Sequence, residues 1–172
     1  MEIIFLVLVV IFALAILPLL LKRYTIKQKL PTRYLYKQKQ SLVTASELVF
    51  FQRLENIVRE KYYIFPQVHL SSLLNHEVPG QDWRAALAVI QRKSVDYVLA
   101  NKATLKPVYV IELDDYSHDA PVRQKRDELV ERLLTSVKLP LVRFRDINRI
   151  SDEDIINALA DAATQNAQNS AG

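Results

Sequence analysis

The sequence predicts an α/β fold in which helices flank a mixed central sheet, preceded by one transmembrane helix. Three observations lead to this fold class. Segments with helical spacing of apolar residues alternate with short runs rich in aromatic and β-branched residues. Only 2 of the 172 residues are glycine and none is cysteine, which argues against a loop-rich or disulfide-linked chain and against thiolate zinc sites. The chain also begins with an uncharged apolar run of bilayer length.

The apolar run extends from Ile3 to Leu21 without a charged residue, about 28 Å of helix at 1.5 Å per residue. We therefore expect residues 1–21 to cross a membrane once. A cleaved signal peptide and a buried core helix are the alternatives. No basic segment precedes the run and no polar face interrupts it, so both alternatives are disfavoured.

Basic residues crowd the segment that follows, residues 22–40. By the positive-inside rule they predict a single-pass protein of the inner (cytoplasmic) membrane, with the N-terminus outside and the C-terminal domain in the cytoplasm. The segment is expected to be a linker that contacts membrane lipid. Residues 41–172 carry 16 Lys and Arg against 18 Asp and Glu, a net 16 − 18 = −2, so the basic balance of the chain does not itself indicate nucleic-acid binding.

Residues 41–163 are predicted to form one domain, and residues 164–172 a disordered tail. Thr44 or Ser46 can cap a first helix, and Ser151 can cap the last one, whose first turn is acidic. Alternating or β-branched runs predict the strands, and apolar residues at helical spacing predict the helices. In chain order we expect a helix to about Lys61, a strand at 62–70, a helix at 82–90, a hairpin of strands 95–100 and 107–113, a helix at 121–138, a strand at 141–144 and a helix at 151–163.

The hairpin carries the acidic residues of interest. If its turn is centred near Thr104, residues whose numbers sum to 208 face each other, and Asp96 lies opposite Glu112. Asp114 falls on the same face of the sheet as Glu112. Such a cluster of carboxylates suits Mg²⁺ or Mn²⁺. The alternative is that these acids are solvated at strand ends or paired with basic residues, although their apolar neighbours in both strands argue for burial.

Two further residues are candidates for the same site. His118 follows Asp114 by four residues and could ligate a metal, bind a phosphate or transfer a proton; a loop histidine can equally be ordinary polar surface. Glu47 opens the first helix and is a fourth candidate metal ligand, or an acid that merely favours the helix dipole.

Four motifs follow one another in the sequence: VDYVL, then IELDD with a trailing histidine, then RD within a helix and a closing LVRF strand. This ordered set resembles a bacterial family known as domain of unknown function 2726. That family is similar to the PD-(D/E)xK nuclease superfamily, near the very-short-patch repair endonucleases, which implies a restriction-endonuclease-like fold. The resemblance implies Asp96 and Glu112 as metal ligands. Asp114 stands where the superfamily has its lysine, and His118 would take over from that lysine.

The resemblance also implies nucleic acid as a partner. Lys93, Arg123, Arg126 and Arg143 are the basic residues that could face a phosphate, unless they are solvated or paired within helices. The leading hypothesis is a membrane-anchored cytoplasmic phosphodiesterase that depends on Mg²⁺ or Mn²⁺, with Asp96, Glu112, Asp114 and His118 as catalytic residues. The alternative is an inactive nuclease-like fold that serves as a tethered module for binding nucleic acid or protein. The pattern specifies no oligomeric state.

Overall fold

The computed structural model describes residues 2, 4–7, 12–18, 34–114 and 121–171. The chain divides into two compact units, Met1–Lys39 and Gln40–Gly172, and each is described by itself.

The prediction of a transmembrane helix in the first unit is wrong. Residues 4–7 and 12–18 are helical, but no helix in the described part of the chain is long and apolar enough to cross a membrane. The predicted single-pass location in the inner membrane is overturned with the helix. The basic segment 22–40 was predicted to contact membrane lipid, and most of it, residues 22–33, lies outside the described residues.

The second unit contains helices and strands in the order that the sequence predicts, with one short helix added. The elements are α1 (Ala45–Val58), β1 (Tyr62–His69), α2 (Leu70–Leu73), α3 (Trp83–Ile90), β2 (Ser94–Asn101), β3 (Pro107–Asp114), α4 (Pro121–Ser136), β4 (Leu141–Arg145) and α5 (Asp152–Ala171). The added helix is α2, a single turn that the sequence pattern does not reveal.

The four strands form one mixed sheet in the order β1-β2-β3-β4, so β1 and β4 are its edges. The first three strands are antiparallel neighbours, whereas β4 runs parallel to β3 and is reached through the crossover helix α4. Tyr97 pairs with Ile111 and Val98 with Val110, which confirms the predicted hairpin register. The register shifts by one residue between Leu99 and Ala100, on the turn side of the hairpin.

Each face of the sheet has its own core. Helices α1 and α5 cover one face, where Phe50 and Ile155 pack on Tyr97. Helices α2, α3 and α4 cover the other face, where Leu134 packs with Val110. This three-layer arrangement is the predicted mixed α/β architecture, and it leaves the ends and edges of the strands as the accessible parts of the sheet.

The helix ends follow local rules that the sequence shows. Thr44 begins α1 through a capping box, in which its hydroxyl accepts from the Glu47 backbone N–H and its own N–H donates to the Glu47 carboxylate at 2.6 Å. Ser151 and Asp154 form the same motif at the start of α5. Helix α5 continues to Ala171 through residues expected to form a disordered tail, because alanine and glutamine are strong helix formers.

Candidate functional site

Asp96 and Glu112 form a carboxylate pair at one end of the central strands. The register that pairs Tyr97 with Ile111 brings Asp96, near the start of β2, opposite Glu112, near the end of β3. Both side chains are half-buried and hydrogen-bonded to each other. Asp96 Oδ2 also accepts from the Leu113 backbone N–H at 2.8 Å. Among the described residues neither carboxylate has an ion-pair partner within 4.0 Å.

The pair shares a proton because burial penalises two neighbouring charges. Burial raises the pKa of Asp96, although the Leu113 N–H and the bond from Glu112 oppose the shift. Burial also raises the pKa of Glu112 to about 8, and the neighbouring charge of Asp96 and the hydrogen bond to it act in the same direction. These directions favour a proton that the two carboxyl groups share, with Glu112 donating to Asp96.

Asp114 belongs to a second, separately compensated group. Its carboxylate lies 3.2 Å from Nη1 of Arg143 and 3.9 Å from Nε of Arg145, both on β4. Arg143 lies opposite Glu112 in the parallel register and also donates to the backbone carbonyl of Asp127 on α4 at 3.5 Å. A carboxylate that two guanidinium groups already neutralise has little need of a metal ion.

The predicted metal group of three or four acids is therefore corrected. Within the described residues, no group of three or more His, Cys, Asp or Glu side chains could hold a metal ion. The Asp114 carboxylate forms an ion pair with Arg143 on β4, and the Glu47 carboxylate accepts from the Thr44 N–H in the capping box. Glu47 therefore affects the pair through its charge, which raises the pKa of Asp96.

The predicted basic residues have different surroundings. Arg126 on α4 donates to the Ser94 carbonyl at 3.2 Å, and its charge lowers the pKa of both Asp96 and Glu112, so it lies near the pair. Lys93 instead donates to the carbonyl of Val89 at the end of α3.

Two predicted residues cannot be placed in the site. His118 lies outside the described residues, as does the side chain of Arg123, whose backbone is in α4.

Tyr97 supports the site, but the sequence does not indicate this role, because Tyr97 resembles an ordinary aromatic residue of the core. It is fully buried beneath α1, and its hydroxyl donates to the backbone carbonyl of Glu47 at 2.7 Å. Burial raises the pKa of Tyr97, so the hydroxyl remains a donor. The residue thereby fixes the first turn of α1 beside the carboxylate pair.

Fold and site together define a class: a mixed α/β domain whose central hairpin carries a proton-sharing carboxylate pair with arginines on the neighbouring strand. The family model described as "Protein of unknown function (DUF2726)" matches residues 39–163, and the chain belongs to this family. The family predicted from the motifs is thus confirmed. No curated protein and no solved structure matches the chain.

Proposed function

We propose that the domain is a phosphodiesterase of the PD-(D/E)xK type that cleaves nucleic acid with the help of one Mg²⁺ or Mn²⁺ ion. The observation that carries the proposal is the pair of Asp96 and Glu112, two half-buried carboxyl groups opposite each other with no ion-pair partner among the described residues. Ionisation of both groups would place like charges at opposed positions and destabilise the sheet. The shared proton relieves this penalty, and a cation between the carboxylates would relieve it as well.

The donor set suits a hard divalent ion even though only two carboxylates contribute. Mg²⁺ is commonly held by one or two carboxylates, and waters and substrate phosphate oxygens complete its coordination. Asp96 and Glu112 would hold the ion, and Glu112 would lose its proton as the ion binds. The bound ion would polarise the phosphate and stabilise the charge that develops on it.

The arginines of β4 are proposed to replace the positive charge of the superfamily's lysine. Asp114 occupies the lysine's place in the motif but holds Arg143 on the same side of the sheet as Glu112. A guanidinium group there could bind a phosphate oxygen and keep the scissile phosphate beside the carboxylates. His118 stays the proposed proton carrier for the leaving group.

The second candidate is a nuclease-like module that binds nucleic acid or protein without cleaving. The same Asp114 favours it, because a carboxylate in place of the lysine removes the group that would help to activate water. This candidate predicts binding that is indifferent to chelator and to loss of Asp96.

A cleavage assay separates the two candidates. The purified chain is incubated with end-labelled DNA and RNA oligonucleotides in Mg²⁺, in Mn²⁺ or in EDTA, and the products are resolved on a gel. The matched control for Asp96→Asn is Asp161→Asn, because Asp161 is an exposed acid on α5. We expect cleavage only with a divalent ion, abolished in Asp96→Asn and unchanged in Asp161→Asn. Equal cleavage by Asp96→Asn, or cleavage in EDTA, would overturn the proposal; binding without cleavage would support the second candidate.

A further inference from the structure

A groove of about 610 Å³ lies at the free edge of β4. Its lining comes from α4, from the connection after α4, from β4 and from α5. Because α4 and α5 lie on opposite faces of the sheet, a groove lined by both must pass around the edge strand. We propose that this groove binds a single strand of nucleic acid next to the phosphate that is cleaved, an inference that rests on the proposed function.

The charges and polar groups of the groove fit a polyanion. The charged residues of the lining are Lys138, Arg143 and Glu131. Arg143 is paired with Asp114 at 3.2 Å, whereas Lys138 makes no ion pair among the described residues. Thr135 on one wall and Gln165 on the other add hydrogen-bonding groups for sugar, phosphate or base edges. The body of the domain as a whole is acidic, so the Lys138 ammonium is a local positive charge at this edge that is available to a phosphate.

Arg143 joins the groove to the carboxylate pair. It lies opposite Glu112 in the β3–β4 register, and the same side chain lines the groove. A strand with one phosphate at the pair could therefore place the neighbouring nucleotide along β4 toward Lys138. The volume of about 610 Å³ lies within the ~300–1,000 Å³ of sites that take small ligands, so the groove has room for a short extended stretch of a single strand.

Lys138 lies in the turn that ends α4. It follows the end of α4 with a φ of 55°, in the left-handed region where glycine or asparagine usually ends a helix. Its backbone N–H donates to the Thr135 carbonyl at 3.0 Å, which fixes that turn. The side chain is exposed and makes no ion pair within the described residues. The turn therefore holds Lys138 at the groove, where its charge is available to a phosphate oxygen.

The test is single-strand binding by the full chain with Lys138→Gly. This substitution removes the charge and also relieves the positive φ, so a loss of binding cannot be attributed to a weakened fold. Lys106→Ala is the matched control, because Lys106 is an exposed lysine before β3, outside the groove lining. Binding of a fluorescent ~12-nucleotide single strand is followed by anisotropy in EDTA over a range of salt concentrations. Gln165→Ala, on the opposite wall, is a second variant.

We expect Lys138→Gly to weaken binding by about 3- to 10-fold and to reduce the slope of log K against log salt by about 0.7, the value for one lost phosphate contact to a single strand. Gln165→Ala should weaken binding without changing the slope, and Lys106→Ala should match the wild type. A duplex or a mononucleotide that binds as tightly as the single strand would overturn the proposal.

The assay also separates this inference from the proposed function. Normal cleavage together with unchanged binding in both groove variants would overturn the groove assignment alone. Binding that depends on Lys138 in a chain that cleaves no substrate would overturn the phosphodiesterase alone.

Discussion

Replacing Glu112 by glutamine tests the proton that the carboxylate pair holds. The pKa of Glu112 rises from 4.5 to about 8 because burial and the charge of Asp96 disfavour its ionised form. Between these two values the folded state binds more protons than the unfolded state. The associated stability is therefore fully present below about pH 4.5 and is lost as the pH rises through 8. A glutamine amide offers Asp96 a donor at every pH and removes this dependence.

The size of the effect follows from the shift. A difference of 8 − 4.5 = 3.5 pKa units corresponds to about 4.8 kcal/mol at 1.36 kcal/mol per unit. Because Glu112 is only half-buried, solvent screening reduces this figure, and we expect about 2 kcal/mol. The free energy of unfolding of Glu112→Gln, relative to the wild type, should thus increase by about 2 kcal/mol between pH 4.5 and 8 and stay level above that.

Urea unfolding at several pH values in EDTA measures this difference directly. Glu128→Gln is the control, because Glu128 is an exposed acid on α4. The control should show the pH dependence of the wild type. A difference between Glu112→Gln and wild type that stays constant from pH 4.5 to 8 would refute the proton-sharing pair.

Three further substitutions test the surroundings of the site by urea unfolding. Tyr97→Phe removes the hydroxyl that donates to the Glu47 carbonyl at 2.7 Å, and should lower the free energy of unfolding by about 1 kcal/mol; no loss would mean that the bond does not hold α1. Asp114→Asn breaks the ion pair with Arg143 and should cost about 1–2 kcal/mol, less at high salt, and a salt-independent cost would contradict the ion pair. Leu54→Ala, at a fully buried position, should cost about 2–5 kcal/mol, and a cost below about 1 kcal/mol would contradict its place in the core.

The central hairpin could be predicted in detail because its signals are local. Alternation along each strand and the position of the turn set the pairing of Asp96 with Glu112 before any long-range contact is known. The caps at Thr44 and Ser151 could be predicted for the same reason, since each depends on side chains within three residues.

The partners of Asp114 could not be predicted, because they depend on where the chain returns to the sheet. Arg143 is 29 residues further along, and its register on β3 is set by the packing of the crossover helix α4. The left-handed turn at Lys138 is hidden for a related reason, since the residue there is not the glycine that normally marks such a turn. The prediction from the apolar N-terminal run rested on hydropathy alone, which measures a preference for apolar surroundings rather than the structure that the run adopts.

The carboxylate pair is the place where the sequence departs from what the sheet alone requires. Residues beside the pair are fully buried on both faces, as Val110 and Ile111 show, and none of the buried side-chain polar atoms in the described part lacks a partner. A glutamine or an apolar residue at position 112 would satisfy this sheet without the cost of a shared proton. Structural need therefore does not account for Glu112. The proposed role, in which Glu112 would give up its proton as a cation binds, would account for it, and for this reason the proposed chemistry rests on the pair rather than on the fold.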